Sequence, residues 1–339
     1  MVSRDRNADV KAKFHRFGLM FPRIAVMIAA LCLHQPVRAR GQSAPQIEIN
    51  DAVPGASLPA ETGTPRRLSE LVNKGKWSEA ESLAQELARK EPSDPTANYY
   101  LGLTLVHRND PIGAIKALRA AERAGMDTAY FHQVLGIAYY NVHQYVLFQQ
   151  QMEKSIALAP ADYKPHFYRG RYLESVRNDF AAALGDFAVA SRLNPAHGES
   201  WYYQGYCLEA GGRRREARSA YETAIKCVEE KHQRFSLPDQ GMARLLTEEA
   251  PGQALEFARR AVELEPEVDS NHLILAKIYE RLGQFAEAKE ELQTAERLDP
   301  INAAPRFMLA RIYSKAGDKK AAEAELEMFR KINRTYGTQ

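Results

Sequence analysis

Between Glu61 and Arg334 apolar and small residues recur in a fixed order with a period of 34 residues. The order is clearest from Asp269 to Asn302, with a Leu275-Ala276 pair, Tyr279, Gly283, Phe285, Ala288, Ala295 and Pro300. Gly198 to Lys231 repeats it with Gly205, Leu208, Gly212, Ala217 and Ala224. Within each unit, two stretches of about a dozen residues space their apolar positions by three and four, which predicts a pair of amphipathic helices. A Gly or Asn divides the pair, as at Gly75, Asn109, Asn178, Gly212, Gly283 and Gly317. Pro92, Pro160, Pro195, Pro266 and Pro300 close units, because Pro ends a helix and suits the turn after it. A period of this length predicts stacked helical hairpins that share one continuous core.

Eight units are expected, over residues 61–94, 95–128, 129–162, 164–197, 198–231, 235–268, 269–302 and 303–336. Tyr163 stands as an extra residue before the fourth, and His232 to Arg234 as an insertion before the sixth. Small residues fall where helices must approach closely. Gly102, Gly136, Gly205, Ala276 and Ala310 share one place in the first helix. Ala80, Ala114, Ala183, Ala217, Ala254, Ala288 and Ala322 share one in the second. Phe148 breaks the second series and predicts a splayed third hairpin. Arg171 breaks the first, with Gly170 just before it. Ser236 reads as an N-cap ahead of Pro238 and Asp239, which predicts a short first helix in the sixth unit.

These residues resemble the tetratricopeptide repeat, with its small residue in helix A, its two alanines in helix B and its closing Pro. The resemblance covers about four-fifths of the chain. It implies an all-α, right-handed α-solenoid of about eight units. Helix A of each unit would line the concave face and helix B the convex face. In this family the groove is lined from about the second, fifth, ninth and twelfth places of helix A. On this chain those places fall on Tyr99, Leu103, Tyr130, Gln133, Ile137, Tyr140, Tyr168, Tyr172, Tyr202, Tyr206 and Glu209. The tyrosines Tyr99, Tyr130, Tyr140, Tyr168, Tyr172, Tyr202 and Tyr206 are the candidate partner-binding residues, since Tyr joins a rigid apolar face to a polar tip. The competing reading is that the rings only pack between neighbouring helices, as expected for Tyr139, Tyr279 and Tyr313. The Lys, Asn and Arg clamp of relatives that bind chaperone tails is not matched.

No HExxH, GxSxG, GxxxxGK[ST], GxGxxG or SxxK pattern occurs, so no catalytic, cofactor or metal site is expected. His132, His166 and His272 lie early in their first helices and read as packing or surface residues. The run Arg213-Arg214-Arg215 sits at a turn, expected to be exposed. Cys207 and Cys227 fall at places that antiparallel helices hold apart, which argues against a disulfide.

Charge is uneven. Residues 1–39 carry seven basic and two acidic residues, leaving 39 basic and 41 acidic in the rest. A nearly neutral body offers no broad basic field for nucleic acid. Lys11, Lys13, Arg16 and Arg23 precede a ten-residue apolar run, Ile24 to Leu33, followed by Ala39 and Gly41. This is the plan of a secretory signal over residues 1–39, with a signal anchor over 17–33 as the alternative. Residues 40–60, rich in Pro, Ala and Ser, read as a disordered linker. The leading expectation is an exported, periplasmic or extracellular, non-catalytic scaffold that binds an unknown peptide or protein segment. It would touch membrane only through an uncleaved amino terminus. The alternatives are an envelope assembly factor for polysaccharide export or pilus biogenesis and, in another class, a repeat-fused enzyme.

Overall fold

The computed structural model describes residues 64–336, all of whose regular elements are α-helices. The signal and linker expectations lie outside these residues. Sixteen helices follow one another: α1 Thr64–Asn73, α2 Trp77–Lys90, α3 Pro95–His107, α4 Pro111–Arg123, α5 Ala129–Asn141, α6 Tyr145–Leu158, α7 Lys164–Ser175 and α8 Phe180–Leu193, then α9 Gly198–Ala210, α10 Arg214–Glu230, α11 Leu237–Leu246, α12 Pro251–Leu264, α13 Asp269–Arg281, α14 Phe285–Leu298, α15 Ala304–Lys315 and α16 Lys319–Tyr336. They pair as A–B hairpins and form an α-solenoid. By compactness they divide into two units, one ending at Glu265 and one beginning at Pro266.

Local chemistry sets the boundaries. Asp94 accepts from the backbone N–H of Thr96 and Ala97 at 2.8 and 3.2 Å, with Pro95 in the first turn of α3. Asp110, Thr128 and Asp179 cap α4, α5 and α8 in the same way. Ser236 does not. Its backbone is already helical, its Oγ is buried without a partner, and its N–H donates to Glu265 at 2.7 Å. Every A helix except α11 closes on a residue with positive φ. This is Gly at 75, 212, 283 and 317, and Asn at 109 and 178. The third hairpin uses His143, at φ 60, whose Nδ1 lies 2.7 Å from the Tyr145 hydroxyl.

Close approach explains the small residues. Ala80, Ala114, Ala183, Ala217, Ala254 and Ala288 are fully buried where B meets A. A Cβ on Gly205 would lie 2.7 Å from ring carbons of Tyr221, so a larger side chain cannot enter without parting the helices. Phe148 does not splay the third hairpin. The ring is fully buried, 5.4 Å from Tyr140 and 5.5 Å from Tyr172, and α5 still packs along α6. Gly136 on α5 takes Met152 of α6 against it, since a Cβ there would meet the Met152 methyl.

The fourth hairpin carries its extra residue in the A–B turn, not at Tyr163. Gly170 is the small residue, with Phe187 of α8 against it as Tyr221 is against Gly205. Asn109, His143 and Gly212 each follow the small glycine of their helix by seven positions, whereas Asn178 follows Gly170 by eight. The turn bond lengthens to match. Asp110, Gln144 and Arg213 donate N–H to a carbonyl five residues back, whereas Asp179 reaches six back to Leu173 at 2.9 Å. Tyr163 is therefore the first residue of its unit. Arg171 then occupies the place of Tyr206 in the next unit, and Glu174 that of Glu209.

Candidate interaction surface

Within the unit ending at Glu265, A helices touch A helices of adjacent hairpins: α1 with α3, α3 with α5, α7 with α9 and α9 with α11. Helix α13 likewise touches α15 in the second unit. The A helices thus form the inner, more closely spaced layer. That spacing decides what the inner-face side chains can do.

It buries most of the candidate tyrosines. Tyr140 is 1% exposed, and Tyr99, Tyr168, Tyr172, Tyr202 and Tyr206 lie between 3 and 9%. The rings fill the seams. Tyr99 meets Tyr130 edge-on at 6.2 Å, Tyr172 lies 5.3 Å from Tyr145, and Tyr206 meets Phe180 of α8 edge-on at 5.8 Å. For Tyr168, Tyr172, Tyr202 and Tyr206, offered as partner-binding residues, the competing reading of packing between helices describes the observed positions. The turn insertion also takes Tyr168 and Tyr172 out of register with Tyr202 and Tyr206. Leu103 and Ile137 are buried, and Gln133 donates to Asp162 at 2.6 Å and to Ser155 at 3.2 Å. Tyr130 differs from the rest, being half-buried with a hydroxyl that has no hydrogen-bond partner. Burial raises its pKa far above that of a free phenol.

Charged groups punctuate this layer. The Arg244 guanidinium grips Glu209 through Nε at 2.8 Å and Nη2 at 2.6 Å, and the Tyr221 hydroxyl donates to the same carboxylate at 2.8 Å. Burial alone would raise the Glu209 pKa. The Arg244 contact overrides it and holds the carboxyl below its ordinary range. In the second unit Arg311 and Lys315 hold buried Glu280 at 3.1 and 2.8 Å. Arg171 lies over the Tyr203 ring at 4.2 Å, with a buried Nε that has no hydrogen-bond partner.

A second polar pattern runs through the hairpins. The fourth residue of the repeat unit turns toward the preceding turn, toward helix B, or toward both. Asn98, Trp201 and His272 each reach a Pro carbonyl six residues back, at 2.9 Å. His132 meets Gln151 at 2.6 Å, His272 meets Glu291 at 2.6 Å, and Arg306 donates to Glu325 at 2.9 Å, each nineteen residues on. His166 meets Asp186 at 3.3 Å, twenty on, the added step being the turn insertion. The signal in the sequence was a polar residue in the first turn of A matched to another in B.

On the other side of the A layer, α8, α9 and α10 enclose an open cleft of about 370 Å³. Half-buried Trp201, Leu184 and Gln204 line it, with the Arg213–Glu216 ion pair, 2.6 Å, at its rim. Of the arginine run, Arg214 pairs with Glu249 at 3.0 Å and Arg215 is exposed. Cys207 and Cys227 are buried free thiols, Cys207 pushed up to about 12 by burial.

Comparison with curated proteins finds no match to the sequence. Among solved structures, the chain is similar to the carboxy-terminal part of a TPR protein from Cytophaga hutchinsonii, at 15% identity and TM-score 0.54, covering 73% of this chain and 99% of that one. It is also similar to yeast Tom70, at 16% identity and TM-score 0.52, over 82% of this chain and 62% of that one. The Cut9–Hcn1 hetero-tetramer of the APC/C matches at 13% identity and TM-score 0.58, over 79% of this chain and 52% of that one. At these identities the likeness concerns the fold. Two family models, both described as tetratricopeptide repeat, match residues 67–129 and 154–231 and residues 245–300 and 281–335. With its hairpins, its glycine and alanine contacts and these matches, the chain belongs to the tetratricopeptide repeat family.

Proposed function

We propose that this chain is a non-catalytic scaffold that binds an extended segment of another protein along the inner face of its A helices. The observation that carries the reading is the contact of A helix with A helix, from α1 through α3 to α5 and from α7 through α9 to α11, each run joining the faces of three hairpins. The buried tyrosines stiffen that surface. Contact with a partner falls to the groups that stay half-exposed on it: Tyr130, Lys164, Arg171 and Glu199. Their mixed charge suits a polar segment whose backbone and side chains both make hydrogen bonds. The charged start and ten-residue apolar run at the amino terminus support placing this scaffold outside the cytoplasm.

Photocrosslinking tests the location. A benzophenone amino acid at Tyr130 or Arg171 should capture the partner, whereas one at Ile112, which is 75% exposed on α4, should not. Capture from Ile112 or from Arg215 alone would move recognition to the outer face or the turns.

A further inference from the structure

We propose that His272 stands as an imidazolium at neutral pH and acts as a proton-controlled staple of the α13–α14 hairpin. Its ring is almost wholly enclosed, with the side chain 7% exposed. Nδ1 lies 2.6 Å from Oε2 of Glu291 on α14, and Nε2 lies 2.9 Å from the carbonyl oxygen of Pro266. A carbonyl oxygen accepts only, and so does an ionised carboxylate. A neutral imidazole has a single N–H and can satisfy one of them. Filling both contacts takes two N–H groups, which only the imidazolium has.

The other two histidines in this place differ. His132 also has a carboxylate on one side, Asp127 at 2.7 Å from Nε2, but its Nδ1 faces the Gln151 side-chain amide, which can turn its NH2 toward the ring and so needs no second N–H from it. His166 faces Asp186, whose carboxylate is already held by Arg169 at 2.8 and 2.7 Å.

The surroundings of His272 favour the proton. Asp269, in the same first turn, adds negative charge while it accepts from Asn302 at 2.9 Å. On α15, Arg306 is engaged by Glu296 and Glu325, while Arg311 and Lys315 are engaged by Glu280. The Glu291 hydrogen bond raises the His272 pKa above its ordinary value, against the lowering effect of burial. A raised folded-state pKa gives stability that is complete below the unfolded value, about 6.5, and lost as pH rises through the folded value. Above neutrality one contact then loses its donor, and the hairpin is held less firmly.

The test is long-range 15N–1H NMR of the full chain from about pH 5 to 9, with His272 assigned through H272Q. The expected result is a midpoint above about 6.5, with both ring nitrogens protonated at neutral pH, and a lower midpoint in E291Q. Deuterium exchange over residues 269–298 should speed up as pH rises through that midpoint, beyond the intrinsic pH effect. Each unit of displacement is worth up to about tenfold in the local opening constant. A midpoint at or below about 6.5, a neutral tautomer at pH 7, or no change in E291Q overturns the proposal. Should H272Q fail to fold, the E291Q-sensitive resonance makes the assignment, and the same outcomes decide.

Discussion

Gly170 and Phe187 meet where the fourth hairpin closes: a Cβ on Gly170 would lie 2.8 Å from Cε1 of the ring. Phe187 is fully buried and has no room to retreat. In a free helix Gly→Ala gains about 1 kcal/mol. Overpacking costs about 1–3 kcal/mol, so here the clash wins. Gly170→Ala should lower the thermal midpoint, whereas Arg171→Ala, away from the A–B contact, should not bring the two helices into collision. A raised midpoint in Gly170→Ala would return the small-residue place to Arg171.

That contact shows what the sequence could reveal. The hairpins were legible because period, turn glycines and closing prolines are local. The site of the extra residue was not, because Gly170 and Arg171 are adjacent and the choice depends on which one faces α8. Burial of Tyr202 and Tyr206 was hidden for another reason. It depends on the distance between A helices of neighbouring hairpins, which no single unit encodes. His143 closes the third hairpin without glycine or asparagine, so composition gave no turn signal there. Ser236 had the right residue type for a cap, yet its helical backbone takes its side chain out of that role.

The Tyr130 hydroxyl is buried without a hydrogen-bond partner, so the protein carries a desolvated polar group with no return. Tyr130→Phe should leave stability unchanged or raise it by about 1 kcal/mol. Tyr221→Phe is the contrast, since that hydroxyl donates to Glu209 at 2.8 Å; it should cost about 1–3 kcal/mol. Thermal unfolding of the two variants side by side checks this. Equal losses would mean that Tyr130 has a bond the geometry does not reveal.

Arg244 and Glu209 form the charged joint between α9 and α11. Arg244→Met leaves a largely enclosed carboxylate without its cation and should cost about 3–5 kcal/mol. Replacing both residues by Leu should recover most of that, because an ion pair of this kind is costly mainly when halved. The joint also has a pH signature. The depressed Glu209 pKa contributes stability above the unfolded value of about 4.3, lost as pH falls through the folded value. The doubly substituted protein should lose less stability between pH 5 and pH 3 than the parent. Identical acid melts would place the depression elsewhere.

The last prediction separates recognition from packing. Tyr172→Ala with Tyr206→Ala empties two buried sites and should destabilise the fold by several kcal/mol, at about 3–5 each. Lost binding in that variant would therefore say nothing about where the partner lies. Arg171 is the better probe, half-exposed on the inner layer, with a guanidinium that Tyr203 holds in place at 4.2 Å. Anchors that are already rigid lose little entropy on binding, and Arg is prominent among them. Arg171→Ala should weaken partner binding by about 1–2 kcal/mol while the circular dichroism spectrum stays helical. Arg215→Glu, exposed in the first turn of α10, should change it by less than about 0.5 kcal/mol. Measured by calorimetry with the partner captured at Tyr130 or Arg171, the reverse order would place the interface at the start of α10. The A-helix face would then serve only to join the hairpins.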